Sequence, residues 1–283
     1  MLSEVLSYSF NQKALLAGIL IGFLNGFMGG HVILRRSALF AGALSHTLFP
    51  GIAIGALIAG INPFSTFIGA CGTALLIGLL SQGIARYSRI DKNSALAVLY
   101  TAAFGAGLLI LNHLDTYVSL KEYLFGNILG ISNFDLWFCL IVSLTTLSFF
   151  FLWQRPILVF TLSKQMATAQ GIKTNRLEIL LTLFLILTMV SSIHAVGTIL
   201  TLGLLVGPAS ILYLFLNSPS QIMIGGGILG SLVSTFSIFL ANIFDVQTGA
   251  IIVILLGIIF ILSFLLSPRY GLISKRSHRF IHH

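Results

Sequence analysis

Nine long apolar runs constrain the fold of this chain more than any other feature of its sequence. They cover residues 14–34, 38–60, 65–85, 94–112, 134–153, 177–194, 196–216, 221–243 and 248–267. Each has roughly the 17–25 residues that a helix needs to cross a bilayer, and none alternates as a barrel strand would. The sequence therefore predicts an all-α, polytopic protein of eight or nine transmembrane helices. The weakest boundary is Ala195, where two runs almost touch, and a count of ten also stays open.

The composition supports a membrane protein. Hydrophobic residues make up 57% of the chain and charged residues only 8%, whereas soluble domains carry about 25% charged residues. The net charge of +8 comes from short basic clusters between apolar runs, which is a membrane pattern and does not indicate nucleic acid. Cys71 and Cys139 lie inside apolar runs and are expected to be core residues rather than a disulfide or a metal pair.

The basic residues predict the orientation. With nine spans and the N-terminus outside, the inner loops and tail hold 13 of the 15 lysines and arginines, and only Lys13 and Lys121 lie outside. We therefore expect one transmembrane domain over residues 1–283, with an interfacial segment at 1–12 and a basic cytoplasmic tail at 268–283. The first run has neither a basic n-region nor a small-residue cleavage site, so no removable signal peptide is predicted.

Two connections are longer than turns. Residues 113–133 fall on the outer side and include LKEYLFGNIL, which is suited to a short interfacial helix. Residues 154–176 fall on the inner side, where LSKQMATAQ has good helix formers and ends at Gly171, a natural C-terminal stop. This inner helix is either a docking surface or a connector lying on the lipid headgroups.

The stretch from Arg35 to Gly51 contains the strongest candidates for functional residues. His46 lies near the middle of an apolar run, where an ionisable side chain usually faces the bundle interior or a wet cavity and often marks a transport path. Imidazole is a common ligand of divalent transition metals; the alternative is a histidine bonded to a neighbouring helix. Pro50 removes one backbone donor and loosens the helix one turn further on.

The remaining histidines are weaker candidates. His194 closes the sixth run on the outer side, where it contacts an incoming cation, a partner protein or solvent. His31 is expected near the inner interface. The histidines of the tail are expected to contact anionic lipid. Glycines line one face of the first and eighth runs, and small residues of this kind let membrane helices approach closely.

Several classes of protein lack support in the sequence. There is no G-x-x-x-x-G-K-[ST] loop, no H-E-x-x-H and no C-x-x-C, so we predict no enzyme, and ATP-driven transport would need hydrolysis on another chain. Acidic residues fall in loops or at span ends, which argues against a proton- or sodium-coupled carrier. Backbone carbonyls can also hold ions, so such a carrier stays open.

The segment VILRRSALFAGALSHTLFPGIAIG resembles the signature of the membrane subunit of ABC importers for manganese, zinc and iron. The segments KNSALAVLYTAAFGAGLLI, YLFGNILGIS and HAVGTILTLGLLVGPAS are similar to further motifs of that family, in the family's order. The resemblance extends from about residue 14 to residue 268. It implies the fold of the vitamin B12 and metal-chelate (type II) importer permeases.

The resemblance also implies a function, partners and sites. It implies a permease in the bacterial cytoplasmic (inner) membrane that moves Mn, Zn or Fe ions and holds no covalently bound cofactor. Expected partners are cytoplasmic ABC ATPase subunits, a second permease subunit (homo- or heterodimer), an external metal-binding lipoprotein or periplasmic protein, and membrane lipid. The implied metal path comprises Gly42, Ser45, His46 and Pro50, with His46 as ligand and His194 at the outer mouth. QMATAQG resembles a degenerate ATPase-coupling element, in which Gln165, Ala167 and Gly171 hold the motif positions.

One position departs from the family pattern. An aspartate one helical turn before the histidine is replaced by Gly42, so the carboxylate that would share a face with His46 is missing. Three explanations stay open: a different partner permease supplies the carboxylate, the substrate prefers nitrogen ligands, or the site is weak and the external protein selects the metal. The rival functions are an importer of chelates such as siderophores or cobalamin, an ATPase-independent secondary carrier, and a membrane scaffold that transports nothing.

Overall fold

The computed structural model describes residues 9–60, 62–112, 126, 130–244 and 246–267. Its regular structure is helical throughout these ranges. The helices are α1 (Ser9–Leu34), α2 (Ala38–Ala59), α3 (Pro63–Tyr87), α4 (Lys92–Asn112), α5 (Asn133–Leu152), α6 (Gln154–Leu162), α7 (Lys164–Ala169), α8 (Thr174–Val196), α9 (Thr198–Tyr213), α10 (Pro219–Phe244) and α11 (Thr248–Leu266). The all-α prediction is confirmed.

Eight of these helices are long and apolar enough to cross a membrane. The remaining predicted span, run 196–216, corresponds to α9, which has 16 residues and is about 24 Å long at 1.5 Å per residue. It is shorter than the apolar run because Gly197, at φ +76°, separates it from α8. At its other end, the Ser267 hydroxyl donates to the Leu214 carbonyl at 3.1 Å, so α9 and α11 end at the same side of the bundle. The short helix therefore still crosses from one side to the other.

Small residues allow the closest helix contact in the bundle. α1 and α10 run antiparallel, with Gly26 against Gly226 and Gly22 against Gly230. A Cβ at any of these positions would meet backbone of the opposite helix. The predicted role of the glycines in helix packing is confirmed, and it makes α1 and α10 one compact unit with α9.

A second group of helices is built on α2. Helix α2 packs against α3. The start of α3 is capped by Asn62, whose side chain accepts a hydrogen bond from the Ser65 amide at 2.8 Å. Helix α2 also packs against α4, where Gly107 lies directly against Pro50. Most of α4 beyond these contacts is exposed, as is most of α11. These outer faces are left for lipid or for another subunit.

Charged side chains gather at one side of the bundle, which we call the basic end. Arg35, after α1, donates to the Phe160 carbonyl of α6 at 2.8 Å and lies over the Phe160 ring at 4.1 Å. Glu178 of α8 pairs with Lys92 of α4 and with Lys164 of α7. The basic clusters predicted to share the inner side therefore do meet at one end, although the orientation in a membrane stays a prediction.

The predicted inner helix is present as α7, preceded by a helix, α6, that the sequence did not predict. Ser163 separates the two, and its hydroxyl accepts from the Met166 amide. α7 closes through bonds from the Ile172 amide to the Ala167 carbonyl and from the Gly171 amide to the Thr168 carbonyl. This is a Schellman stop with Gly171 in the left-handed region at φ +76°.

Other predictions are only partly covered by the structure. Helix α1 begins at Ser9, inside the segment predicted to lie along the interface. Most of the predicted outer helix in 113–133 and the whole tail 268–283 lie outside the described residues. Cys139 is buried and bonds the Ser191 carbonyl at 2.9 Å, as a core residue does, and both cysteines are free.

Candidate metal path

His46 lies on the surface of this chain. It is on α2, and its side chain is exposed. Its ring stacks on that of Tyr100 of α4, at 5.8 Å between centroids and 29° between planes. Of the two surroundings expected for His46, the interior of its own bundle does not enclose it, and the other, a wet cavity, stays a prediction. The imidazole instead faces outward along the edge formed by α2 and α4.

Pro50 changes the backbone at His46 itself. In an α-helix, the amide of residue 50 would donate to the carbonyl of residue 46, and proline has no amide hydrogen. Pro50 is buried, and a Cβ at Gly107 would lie only 2.8 Å from the Pro50 Cα, so α4 holds this turn closely. The helix therefore presents two metal-ligand types at one residue, an imidazole nitrogen and a carbonyl oxygen that loses its helical donor.

Ser45 and Gly42 occupy different positions with respect to His46. Ser45 is buried, and its hydroxyl donates to the Gly42 carbonyl at 2.7 Å, so this bond turns the hydroxyl toward its own helix. Gly42 lies one turn before His46 and is half-buried. In the described part of the chain, a Cβ at Gly42 would meet Leu202 of α9, at ordinary contact distances of 3.6 and 3.7 Å. The position where a carboxylate is absent therefore has room for one.

Over the described ranges, no three residues of the types His, Cys, Asp and Glu come together to hold a metal. The carboxylates in those ranges lie at helix ends: Asp91 before α4, Asp135 in the first turn of α5, and Glu178 in the first turns of α8. One copy of this chain thus brings an imidazole and backbone oxygen to the α2–α4 edge, with no acidic ligand. A divalent cation at this edge would find no carboxylate ligand among the described residues of this chain.

The other two candidate histidines differ in outcome. His194 lies in the last turn of α8, next to the break at Gly197, and its role at an outer mouth stays a prediction. His31 lies in the last turn of α1 and is buried within the bundle, and its position near the inner interface stays a prediction. Its Nδ1 is 2.9 Å from the Thr161 hydroxyl, which itself donates to the Ile157 carbonyl, so the imidazole donates to Thr161. This histidine is a structural link between α1 and α6.

The coupling residues divide between an exposed and a buried side of α7. Gln165 and Gly171 are exposed, whereas Ala167 is fully buried and belongs to the core cluster that includes Phe160 and Leu177. Met166 is 63% exposed, so an apolar side chain points away from the bundle. This arrangement suits a short helix that is seated on the bundle through Ala167 and offers its other face to a partner.

Sequence reasoning missed three residues at these sites. Tyr100 is an aromatic residue in an apolar run, with no signal that it would stack on His46. Lys92 is predicted in an inner loop and Glu178 in a loop or at a span end, and only the folded chain shows that they pair. Opposite charges at the same predicted side of two spans were the available signal.

Comparison with known proteins gives matches over nearly the whole chain. The sequence model of the ABC 3 transport family matches residues 7–267. The manganese transport system membrane protein MntC of Halalkalibacterium halodurans is 35% identical over 273 residues, covering 96% of this chain and 92% of that protein. The manganese import system permease protein ScaB of Streptococcus parasanguinis is 32% identical over 262 residues, covering 93% and 92%. The structure of PsaBC from Streptococcus pneumoniae in complex with Fab matches with a TM-score of 0.85 and 27% identity over both full chains.

Proposed function

Because this chain belongs to the ABC 3 transport family and is therefore the multi-pass permease subunit of a bacterial ATP-binding-cassette transporter, we propose that it imports manganese ions across the cytoplasmic membrane. Hydrolysis of ATP takes place on a separate chain, which decides against an ATPase-independent carrier. Manganese is the proposed cargo because MntC and ScaB, two similar proteins, are named for manganese transport. Zinc and iron are the other metals that the test must include.

The observation that carries the proposed path is the exposed imidazole in the middle of a membrane-spanning helix. An ionisable group at that depth is costly when it faces lipid, and α4 beside it is largely uncovered. A second permease subunit packed on the α2–α4 edge would remove His46 from lipid and enclose a channel between the two chains. In this arrangement the ion passes along the contact between subunits rather than through one bundle.

The ligands at this edge suit transient binding. Manganese prefers oxygen ligands, carboxylates above all, and binds a neutral imidazole less strongly than later transition metals do. The edge offers the His46 imidazole and the His46 carbonyl beside the Tyr100 ring, and no described residue of this chain adds a carboxylate. Such a site lets the ion leave readily. We infer that most of the selection for manganese rests with an external binding protein.

ATP-driven movement would enter through α7. This helix is packed against the bundle through Ala167, while Gln165 and Met166 are exposed on its other face. That arrangement supports docking of α7 on an ATPase subunit. Closure of two ATPase subunits would shift α7 at the basic end. The α2–α4 edge would then open alternately to the two sides of the membrane.

The test is manganese uptake by the permease reconstituted with its ATPase and binding protein. We expect His46→Ala to lower uptake at least about tenfold, the size of effect that loss of a supporting metal contact typically has, while the complex still assembles. Leu57→Ala is the matched control, because Leu57 is 54% exposed on the same face of α2 and has no ligand atom. Uptake by His46→Ala at the level of the Leu57→Ala variant would overturn the proposed path. Zinc or iron taken up in preference to manganese by the unmodified complex would overturn the proposed cargo.

A further inference from the structure

Three charged side chains from three helices meet at the basic end. The Glu178 carboxylate of α8 places Oε1 3.3 Å from the Lys92 Nζ of α4 and Oε2 2.7 Å from the Lys164 Nζ of α7. Each carboxylate oxygen therefore holds a different lysine. Glu178 is the acidic group through which α7 is joined electrostatically to α4.

Lys92 extends this connection to the helix that carries His46. Its Nζ lies 3.8 Å from the centre of the Phe40 ring on α2, a close cation–π contact. From Phe40 to His46 the helix rises about 9 Å, and from Lys92 to Tyr100 about 12 Å. The stacked pair of His46 and Tyr100 thus lies on the two helices whose ends converge on Lys92.

We propose that Glu178 is a positioning residue that couples movement of α7 to the α2–α4 edge. This rests on the proposed function, because it assumes that an ATPase moves α7 and that the ion passes His46. When α7 shifts, the pull on Lys164 reaches Glu178, and Glu178 displaces Lys92 together with the ends of α2 and α4. Glu178 touches neither the ion nor ATP.

The two ion pairs differ in a way that fits this role. The side chains of Glu178 and Lys92 are 19% and 28% exposed, whereas that of Lys164 is 48% exposed. Solvent weakens the pair with Lys164 more than the pair with Lys92. The contact with Lys164 is the shorter one, at 2.7 Å against 3.3 Å, so its greater exposure, and not its length, is what lets solvent compete for it.

The surroundings of Lys164 leave space for such a movement. An open cleft of about 580 Å³ lies between α3, α4, α7 and α8, and both Lys164 and Glu178 line it. On its far side, Gln82 of α3 donates to the Thr182 hydroxyl at 3.2 Å, one turn beyond Glu178. The cleft gives the Lys164 side chain room to swing while α8 stays fixed to α3.

The experiment measures manganese uptake and phosphate release in the same proteoliposomes, with the full complex and its binding protein. We expect Glu178→Gln to keep ATP hydrolysis but to lower the manganese taken up per ATP about fivefold or more, the usual lower range of a coupling factor. Lys164→Gln, on a half-exposed side chain, should act in the same direction if Glu178→Gln assembles poorly. A merely structural role would lower uptake and hydrolysis together and leave their ratio unchanged.

Charge inversion supplies the rescue. In Lys164→Glu/Glu178→Lys, the pair with α7 is restored, but the new lysine faces Lys92, and we expect uptake per ATP to stay low. Adding Lys92→Glu restores opposite charges on both sides and should recover most of the ratio. Recovery by the double variant alone would overturn the link to α4.

Asp91→Asn is the matched control. Hydrogen bonds from Ser94 hold the pKa of the Asp91 carboxyl below its usual range, so this substitution also removes a negative charge at the basic end. We expect it to leave uptake per ATP unchanged. If the unmodified complex takes up manganese with ATP and Glu178→Gln retains the same ratio, the coupling role fails alone; if the unmodified complex shows no such uptake, the proposed function fails.

Discussion

Gly42→Asp gives the most quantitative test of how this chain handles a divalent cation. Positions 42 and 46 are one turn apart on α2, with about 5–6 Å between their Cβ atoms. Among the described residues, the side chain near a new Cβ is that of Leu202, at 3.6 and 3.7 Å, so the aspartate can be accommodated without displacing backbone. A carboxylate about 5 Å from a dication gains about 7 kcal/mol at an effective dielectric constant of about 20.

Most of that attraction is offset by the cost of placing a carboxylate in a membrane-spanning segment, which is several kcal/mol. A net gain of about 1–3 kcal/mol remains, which corresponds to roughly tenfold to hundredfold tighter binding. We expect manganese to bind the variant complex more tightly and to leave it more slowly, so uptake at saturating manganese should fall or stay unchanged.

The assay is the electron paramagnetic resonance signal of free Mn²⁺, titrated with the complex in nanodiscs. Gly42→Asn is the control, because it has almost the same shape without the charge, and it should bind like the unmodified complex. The gain should also disappear in Gly42→Asp/His46→Ala. Equal binding by the aspartate and asparagine variants would refute the reasoning, because the charge would then have no access to the ion.

Two further predictions concern α2 and α7. Pro50→Ala gives the His46 carbonyl an amide donor again and places a better helix former in α2. We expect manganese uptake to fall severalfold, while a thermal unfolding scan shows that the complex melts at no lower temperature. Unchanged uptake would exclude the carbonyl as a ligand. Ala167→Leu overfills a fully buried position and should destabilise the packing of α7 by about 1–3 kcal/mol. We expect α7 to detach from the bundle and the ATPase to be lost on purification. Thr168→Leu, at an exposed position of the same helix, should retain the ATPase.

The spans were predictable because the bilayer sets both their length and their apolar composition. The residues at which the helices begin and end were harder to predict. Nothing in the composition of run 196–216 shows that Gly197 delays the start of α9, and the short helix α6 lies in a segment whose polar and apolar residues fit an irregular connector equally well. Local sequence decides that a helix forms, but packing decides where it ends.

The sequence was enough to identify candidate residues of the site, but not their arrangement in space. His46 was identifiable because an ionisable group in an apolar run is costly wherever it lies. The same rule left its surroundings open, since hydropathy does not say whether the costly group is enclosed by its own chain or by a neighbour. His31 shows the converse, because its partner Thr161 is 130 residues away and no local pattern connects them.

The distribution of packing explains why an ion path would lie at the edge of this chain. α1 and α10 touch through glycine backbone at several levels, and opening a path between them would break contacts that no side-chain rotation could replace. α4 packs against α2 and α3 but is otherwise largely exposed, so it can tilt with α2 at less cost. A gate that must open in every cycle is best placed where close packing ends, and His46 and Tyr100 lie at that boundary.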